Sequence, residues 1–428
     1  MKGQYRKYGP KSSRNSTSDA QAIEIPFDRE DVDLILREGL HSYAVEIGRL
    51  AAIGLLEDEV SQLCGEWHVS DKERTVTRYG AQPGWVAMDG QKVSIPRPRV
   101  RRKNGKGEVK LARYKLFQQP QTLPQAALRR MIRGVSCRDY EAVADCARTA
   151  YGVKRSSVSR NFSKAMAGRI KRLSERRWDG ARFVAIFIDG KTYARYTMIA
   201  VIGIKTDGTK VILGLRQGAT ENAEVVKDLL EDMASRGVAV RHVTLFVLDG
   251  SKALASAVRR VWGRYALIQR CQVHKCDNIK QYLAPEYWPE LVRRLNEAWS
   301  GSDYETSLAS LEQTAKWLDG INPDAAKSLH EGMPETLTVV RLCIPLLLRQ
   351  SLSSTNIIES AFSVAQTAGG RVKRWRRGVM RWRWCAAGLL QAEERFRRLK
   401  GHLQIPQFVA ALDAVARQEG LDSKAQVA

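Results

Sequence analysis

The spacing of apolar residues divides this chain into stretches of different period. Over residues 28–68, Val32, Leu34, Ile35, Leu40, Ala44, Ile47, Leu50 and Ala51 recur at helical spacing, and Leu55, Leu56, Val60 and Leu63 continue it past Gly54. Over residues 78–115, Gly80, Pro83-Gly84, Asp89-Gly90 and Asn104-Gly105 punctuate short β-like runs, which predicts small hairpins. Residues 123–173 return to the helical period. From Arg182 the pattern changes again. Residues 183–188, 193–204 and 211–215 read as strands, with Thr206-Asp207-Gly208-Thr209 as a hairpin turn between the last two. A helix over 221–235 and a fully apolar strand over 243–248 follow, then a helix carrying Leu254, Val258 and Val261, and a short strand over 266–269. Residues 285–349 are helical and rich in Trp and Leu. New helices open at Ser353-Ser354-Thr355-Asn356 and over 408–415.

Two of the apolar strands end on the same dipeptide, Asp189-Gly190 and Asp249-Gly250. A carboxylate at the carboxyl end of a buried strand is where α/β sheets hold ligands. Three antiparallel strands, a helix and a fourth strand is the order of an RNase H-like core, in which the first and fourth strands lie parallel and adjacent. That order predicts that Asp189 and Asp249 are neighbours, while Asp207 is a turn residue. The expected fold class is multidomain α+β and α/β: an RNase H-like core interrupted by an all-α insertion and preceded by helical and helix-turn-helix regions. The expected divisions are a disordered basic tail (1–24), a helical and basic hairpin region (25–120) and a helix-turn-helix region (121–178). After these come the core's first part (179–284), the helical insertion (285–350), the core's second part with a basic Trp-rich segment (351–400), and a C-terminal helix (401–428).

Charge narrows the function. Lys and Arg total 70 against 46 Asp and Glu, a formal net charge of +24, which implies a polyanionic partner. No apolar run approaches a membrane span. The first residues have no apolar centre of the secretory kind. Seven scattered cysteines suggest no disulfide framework and fit a reducing cytoplasm. Nucleic acid is therefore the expected partner, with DNA the sharper reading, and the cytoplasm the expected setting. Three segments suit DNA. Arg97, Arg99, Arg101, Arg102 and Lys103 lie on the hairpin region, where the only acid from Arg97 onward is Glu108. A first helix over 139–149 (Tyr140, Val143, Ala144 and Ala147 inward), Gly152 in the turn and Val153 beneath it precede a second helix, 154–161. That helix offers Lys154, Arg155, Ser156, Ser157, Ser159 and Arg160 as a recognition surface. Arg371, Lys373, Arg374, Trp375, Arg376 and Arg377 interleave cations with an aromatic ring that can stack on a base. Each also admits a plainer reading: a solvated charged face, an αα-hairpin, or a buried Trp.

The candidate chemistry lies in carboxylates. Asp189 and Asp249, with Glu359 on a later helix, form a minimal oxygen-ligand set for two Mg²⁺ or Mn²⁺ ions, which suits in-line displacement at phosphorus. Glu359 also reads as a helix cap, because Asn356-x-x-Glu359 approaches a capping box. Cys271-x-x-His274 with Cys276 nearby resembles half a zinc site without a second ligand pair. His274 is expected near the carboxylates, where it can touch a phosphate, or as a core histidine.

The motifs Ile188-Asp189-Gly190, Leu248-Asp249-Gly250-Ser251, Cys271-Gln272-Val273-His274 with Asn278, and Thr355-Asn356-Ile357-Ile358-Glu359 occur in this order between residues 188 and 359, within a matching stretch of about 80–400. In these the chain resembles the Mutator-type transposases of bacterial insertion sequences, members of the DDE group. It departs from their common pattern at Gly190-Lys191 and Ser360-Ala361. The resemblance implies Asp189, Asp249 and Glu359 as catalytic triad, Cys271 and His274 as the family's Cys-x-x-His pair, and supporting positions at Asn278 and Asn356. It further implies metal-dependent hydrolysis at the element's ends, strand transfer of the freed 3′-OH, and a nucleoid-associated homodimer on double-stranded DNA, both the terminal inverted repeats and the target. A nuclease without strand transfer and a non-catalytic DNA-binding regulator remain as alternatives.

Overall fold

The computed structural model describes residues 29–67, 69, 73–103, 107–118, 122–143, 150–193, 196–218, 223–370, 372, 375 and 379–421. The expected basic tail lies outside them. The chain divides into two compact units, one formed by 1–88, 93–118 and 145–150, the other by the remainder.

In the first unit the helical period is realised as one helix, Arg29–Cys64. Its Val45, Ala52, Leu56 and Val60, recurring at multiples of about one turn, pack with Val86, Val93, Ile95 and Val100 of two strands. These strands are β1 (Val76–Met88) and β2 (Gln91–Arg102). They form one long hairpin where several small ones were expected, and the turn is Asp89-Gly90, both with positive φ (39° and 77°). Pro83-Gly84 lies inside β1 instead of breaking it. A Cβ on Gly84 would fall 2.8 Å from Arg97 Cβ and 2.9 Å from the Tyr114 hydroxyl, so the glycine serves a close crossing. Strand β3 (Glu108–Val109) pairs antiparallel with the end of β2, and β4 (Ala150–Tyr151) also pairs with β2. The inward positions of β2 change parity between Ile95 and Val100, across Pro96 and Pro98. Proline donates nothing to a sheet ladder, which makes such a slip cheap there.

In the second unit a five-stranded sheet runs β7-β6-β5-β8-β9. Its strands are β5 (Phe183–Tyr193), β6 (Tyr196–Lys205), β7 (Lys210–Gly218), β8 (Thr244–Leu248) and β9 (Ala266–Arg270). β5, β6 and β7 are antiparallel neighbours, and β8 lies parallel to β5 and β9. The expected adjacency of first and fourth strands holds, with Ile188 opposite Leu248. Asp189, however, does not end its strand. β5 continues to Tyr193 against β6, and only its pairing with β8 stops at Ile188, so Asp189 stands where the parallel half of the sheet ends.

Alternation along the strands feeds two apolar layers. Ala185, Phe187, Leu245 and Val247 face helices Arg155–Glu175, Asn356–Gly369 and Val379–Glu393, while Ile186, Ile188, Phe246 and Leu248 face helices Ala223–Ser235 and Lys252–Trp262. Residues 285–352 carry helices and no strand, with their own core of Leu291, Leu295, Leu311, Leu318 and Leu329. Helix Gln272–Lys280 joins that core through Cys276 and Ile279.

The helix-turn-helix expectation meets a different outline. The first helix is described only over Tyr140–Val143, and Ala144 and Ala147 lie outside the described residues. Gly152 has the positive φ (87°) a tight turn needs, and Val153 is buried. The second helix runs far past Asn161, to Glu175, because Phe162, Met166, Ile170 and Leu173 continue its buried stripe.

Candidate active site

Three elements converge at the end of the sheet's parallel half. β5 brings Asp189, which is 5% exposed; helix Gln272–Lys280 brings His274; and helix Asn356–Gly369 brings Glu359 in its first turn. Ligand atoms of these three side chains lie within 4.8 Å of one another, and they are the group of this kind found among the described residues. His274 Nε2 is 3.7 Å from Glu359 Oε1.

The two helices are tied together at their starts. Cys271 is the N-cap of helix Gln272–Lys280, and its sulfur accepts the His274 N–H at 3.5 Å. The same sulfur accepts the Thr355 N–H at 3.4 Å and the Thr355 hydroxyl lies 3.5 Å from it. Thr355 Oγ1 is also 3.2 Å from His274 Nδ1 and 3.2 Å from Glu359 Oε1. The Gln272 N–H donates to Ser353 O at 2.9 Å. Buried Thr355 thus links Cys271, His274 and Glu359, a role the sequence did not suggest; its one signal is a hydroxyl four residues before a carboxylate, one turn along a helix start.

The electrostatics follow from this packing. The His274 ring is pushed up to about 9 by the Cys271 side chain first and by the Asp189 and Glu359 carboxylates, against burial. Burial pushes the Cys271 thiol up, but hydrogen bonds from His274 and Thr355 outweigh it and hold it below the ordinary thiol range. An imidazolium between two carboxylates offsets their mutual repulsion.

Asp249 follows Leu248 at the end of β8, beside Asp189 in the sheet, yet its carboxylate is outside the converging group. Its oxygen accepts the Ser251 N–H at 2.8 Å, an Asx turn leading into helix Lys252–Trp262. The capping-box reading of Glu359 does not hold. The N-cap is Thr355, one position too early for such a box, and its N–H goes to the Cys271 sulfur. Asn278 lies half-buried one turn past His274 on the same helix, and Asn356 is exposed at the first position of its own helix. Cys276 turns into the helical core of 285–352, so no Cys-His-Cys group forms. The described cysteines are free thiols.

The DNA-facing candidates fare unequally. Arg97 and Arg99 both pair with Glu108, the single acid of that stretch, and Arg99 and Arg101 lie over the Tyr79 ring at 5.1 and 3.9 Å. Arg101, Arg102 and Lys103 are exposed. Lys154, Arg155, Ser156, Ser159 and Arg160 are exposed around the start of helix Arg155–Glu175, and Ser157 is half-buried. Trp375 packs half-buried against the large core, and Trp384 is buried and stacked on Phe162 at 4.5 Å, as a core ring does. Arg371, Lys373, Arg374, Arg376 and Arg377 lie outside the described residues.

Replacing Cys271 tests the latch. Cys271→Ala leaves the buried Thr355 N–H without its acceptor and is expected to cost about 1–3 kcal/mol. Cys271→Ser keeps an acceptor and is expected to recover most of that in denaturant unfolding. Equal loss in both would mean that the sulfur matters for its volume alone.

The family pattern described as "Transposase, Mutator family" matches residues 36–367. The chain is similar to the transposase for insertion sequence element IS1201 of Lactobacillus helveticus, 26% identical over 358 residues that cover 80% of this chain and 89% of that protein. It is also similar to the transposase for IS905 of Lactococcus lactis, 25% identical over 53% of this chain and 58% of that protein. A third relative, the transposase for IS6120 of Mycolicibacterium smegmatis, is 22% identical over 55% of this chain and 73% of that protein.

Proposed function

The chain belongs to the Mutator family of transposases, and from that premise we propose that it cuts DNA at the ends of an insertion sequence and joins those ends to target DNA, in an RNase H-like catalytic centre. The observation that carries this reading is the convergence of Asp189, His274 and Glu359 at the end of β5's pairing with β8. The strand order supports it, since a central β5 with antiparallel neighbours on one side and parallel ones on the other is the order such a core takes.

Asp189 and Glu359 present carboxylate oxygens in one place, with Asp249 beside them, a donor set that fits Mg²⁺ or Mn²⁺. A pair of such ions, when bound, stabilises the attacking and leaving oxygens of an in-line displacement at phosphorus. One Asp249 oxygen accepts the Ser251 N–H, and the other oxygen of that carboxylate is the one offered to the set. Thr355 fixes the rotamer of Glu359 through its hydroxyl. His274, with Nε2 3.7 Å from Glu359 Oε1, is placed to donate to a non-bridging phosphate oxygen. In the first reaction a water oxygen forms the new bond to phosphorus and the 3′ oxygen leaves as a hydroxyl. In the second, that hydroxyl attacks a target phosphodiester, and one P–O bond again replaces another. Joining two ends calls for at least two copies of the chain, and helix Arg29–Cys64, with Leu50 55% exposed, is a surface for that contact.

The test is cleavage and joining on DNA carrying the element's own terminal repeats, with Mg²⁺ and with EDTA. Metal-dependent nicking followed by joining is expected. Nicking without joining would reduce the protein to a nuclease, and tight binding without cleavage in Mg²⁺ or Mn²⁺ would leave a DNA-binding regulator.

The exposed cations at the start of helix Arg155–Glu175 give a second measurement. Replacing Lys154 and Arg155 by Ala should flatten the slope of log affinity against log salt by about 2, roughly 0.9 per phosphate contact. An unchanged slope would remove them from the DNA interface.

A further inference from the structure

A cavity of about 490 Å³ opens immediately beside Asp249, between helix Lys252–Trp262 and the turn at Glu331-Gly332. Leu248, Ala255 and Ile268 give it an apolar floor, Arg270, Glu331 and Glu335 a charged wall, and Lys252, Arg259 and Arg260 a basic rim. Its size is that of a small-ligand site.

Arg270 is built into this wall. It is 7% exposed, and it donates to Glu331 O at 2.5 Å and to the Glu331 carboxylate at 3.3 Å. Its buried Nε–H has no acceptor among the described residues. Two glycines make room for it. A Cβ on Gly250, whose φ is 105°, would lie 2.5 Å from Arg270 Nε, and one on Gly332, at φ 68°, would lie 2.7 Å from Nη1. The glycine of Asp249-Gly250 therefore does more than turn the chain: it lets a guanidinium lie against the backbone next to a candidate catalytic carboxylate. Opposite charges face one another around the cavity, Lys252 to Glu331 at 3.5 Å and Arg259 to Glu335 at 3.7 Å.

We propose that this cavity receives one unpaired base of the substrate DNA, drawn out of the helix next to the bond that is cut. The proposal rests on the reading of Asp189, Asp249 and Glu359 as a DNA-cutting centre. The chemistry of the lining selects the occupant. The apolar floor favours a ring over a bare phosphate, and the four cations around it, Lys252, Arg259, Arg260 and Arg270 against the two carboxylates Glu331 and Glu335, disfavour a purely apolar ligand. A nucleobase has a flat apolar face for the floor, donors and acceptors on its edge for the wall, and a phosphate for the rim. Guanine matches best: its O6 and N7 accept from an arginine, and its N1–H and N2–H groups donate to a carboxylate. Because Gly250 directly follows Asp249, the base belongs close to the scissile phosphate. Enzymes that stow a base in this way bear the unstacking and recover it from pocket contacts.

The experiment places 2-aminopurine at each position around the cut site in terminal-repeat duplexes and reads fluorescence on binding the full-length protein in EDTA. An increase at one position, and little at the others, is expected. In parallel, Ala255→Trp fills the floor. It should slow Mg²⁺-dependent cleavage at least about tenfold, and an abasic nucleotide at the responsive position should restore it, since no base then has to be stowed. A wild-type protein that cleaves, with no responsive position and an unimpaired Ala255→Trp variant, overturns the pocket proposal alone. A wild-type protein that never cleaves overturns the reading beneath it instead. The fluorescence scan uses unmodified protein, so misfolding of the variant leaves the proposal exposed to refutation.

Discussion

Glu359→Gln is expected to lower metal-dependent cleavage and joining by about 10³-fold or more while leaving affinity for terminal-repeat DNA unchanged. The substitution is isosteric. Thr355 Oγ1 can still reach the side-chain oxygen at Oε1, so the helix start keeps its geometry. What is lost is one negative charge in a site where two carboxylates and a histidine lie within 4.8 Å of one another. Transition-state charge stabilisation of the kind a bound metal supplies is worth several kcal/mol, and about 1.4 kcal/mol is a factor of ten in rate. Asp189→Asn should match it, because Asp189 is buried in the same group. Asp249→Asn separates two possibilities. If the Asx turn onto Ser251 were its whole role, Asn would replace it with little loss, since Asn forms the same turn. A loss as deep as that of Glu359→Gln would place its carboxylate in the chemistry. Activity within about tenfold of wild type in Glu359→Gln would remove Glu359 from the centre.

The largest structural effect is expected at Gly388. Helix Val379–Glu393 crosses helix Asn356–Gly369 with Gly388 against Ala365. A Cβ at 388 would fall 2.3 Å from Ala365 Cα and 2.8 Å from its Cβ. Backbone cannot yield as the end of a long side chain can, so Gly388→Ala must push the helices apart. Over-packing of this kind costs about 1–3 kcal/mol, more than the roughly 0.5–1 kcal/mol that Ala gains over Gly inside a helix. A lower denaturation midpoint at unchanged slope is the expected reading. Cleavage should fall as well, because Glu359 rides on the displaced helix, about 9 Å along it from Ala365 at 1.5 Å per residue. A midpoint higher than wild type would show that the two helices are looser than their spacing implies.

Much of the second unit was legible because strands buried on both sides read as unbroken apolar runs. Residues 183–188 and 243–248 announced β5 and β8, and Asp207-Gly208 the turn between β6 and β7. The hairpin region was read less well. Gly80 and Pro83-Gly84 carry turn chemistry, but inside β1 Gly80 serves a positive φ and Gly84 a close crossing, and neither is distinguishable from a turn glycine in one dimension. The same ambiguity hid the fit of Gly250 and Gly332 around Arg270. Trp384 stands just beyond a basic run, and only its contact with Phe162 shows it to be core.

What the order of residues determined alone is the set of elements, the charge, and the four motifs in which the candidate site is written. Periodicity and charge are local or additive properties, so they survive without a fold. What the tertiary structure decided is which motif atoms meet. Asp189, His274 and Glu359 come from elements separated by many residues, and their approach depends on sheet register and on two helix starts latched through Cys271 and Thr355. Distances across a fold are set by packing that no local window contains. For that reason Thr355 and Arg270 emerged as partners only once the chain was folded.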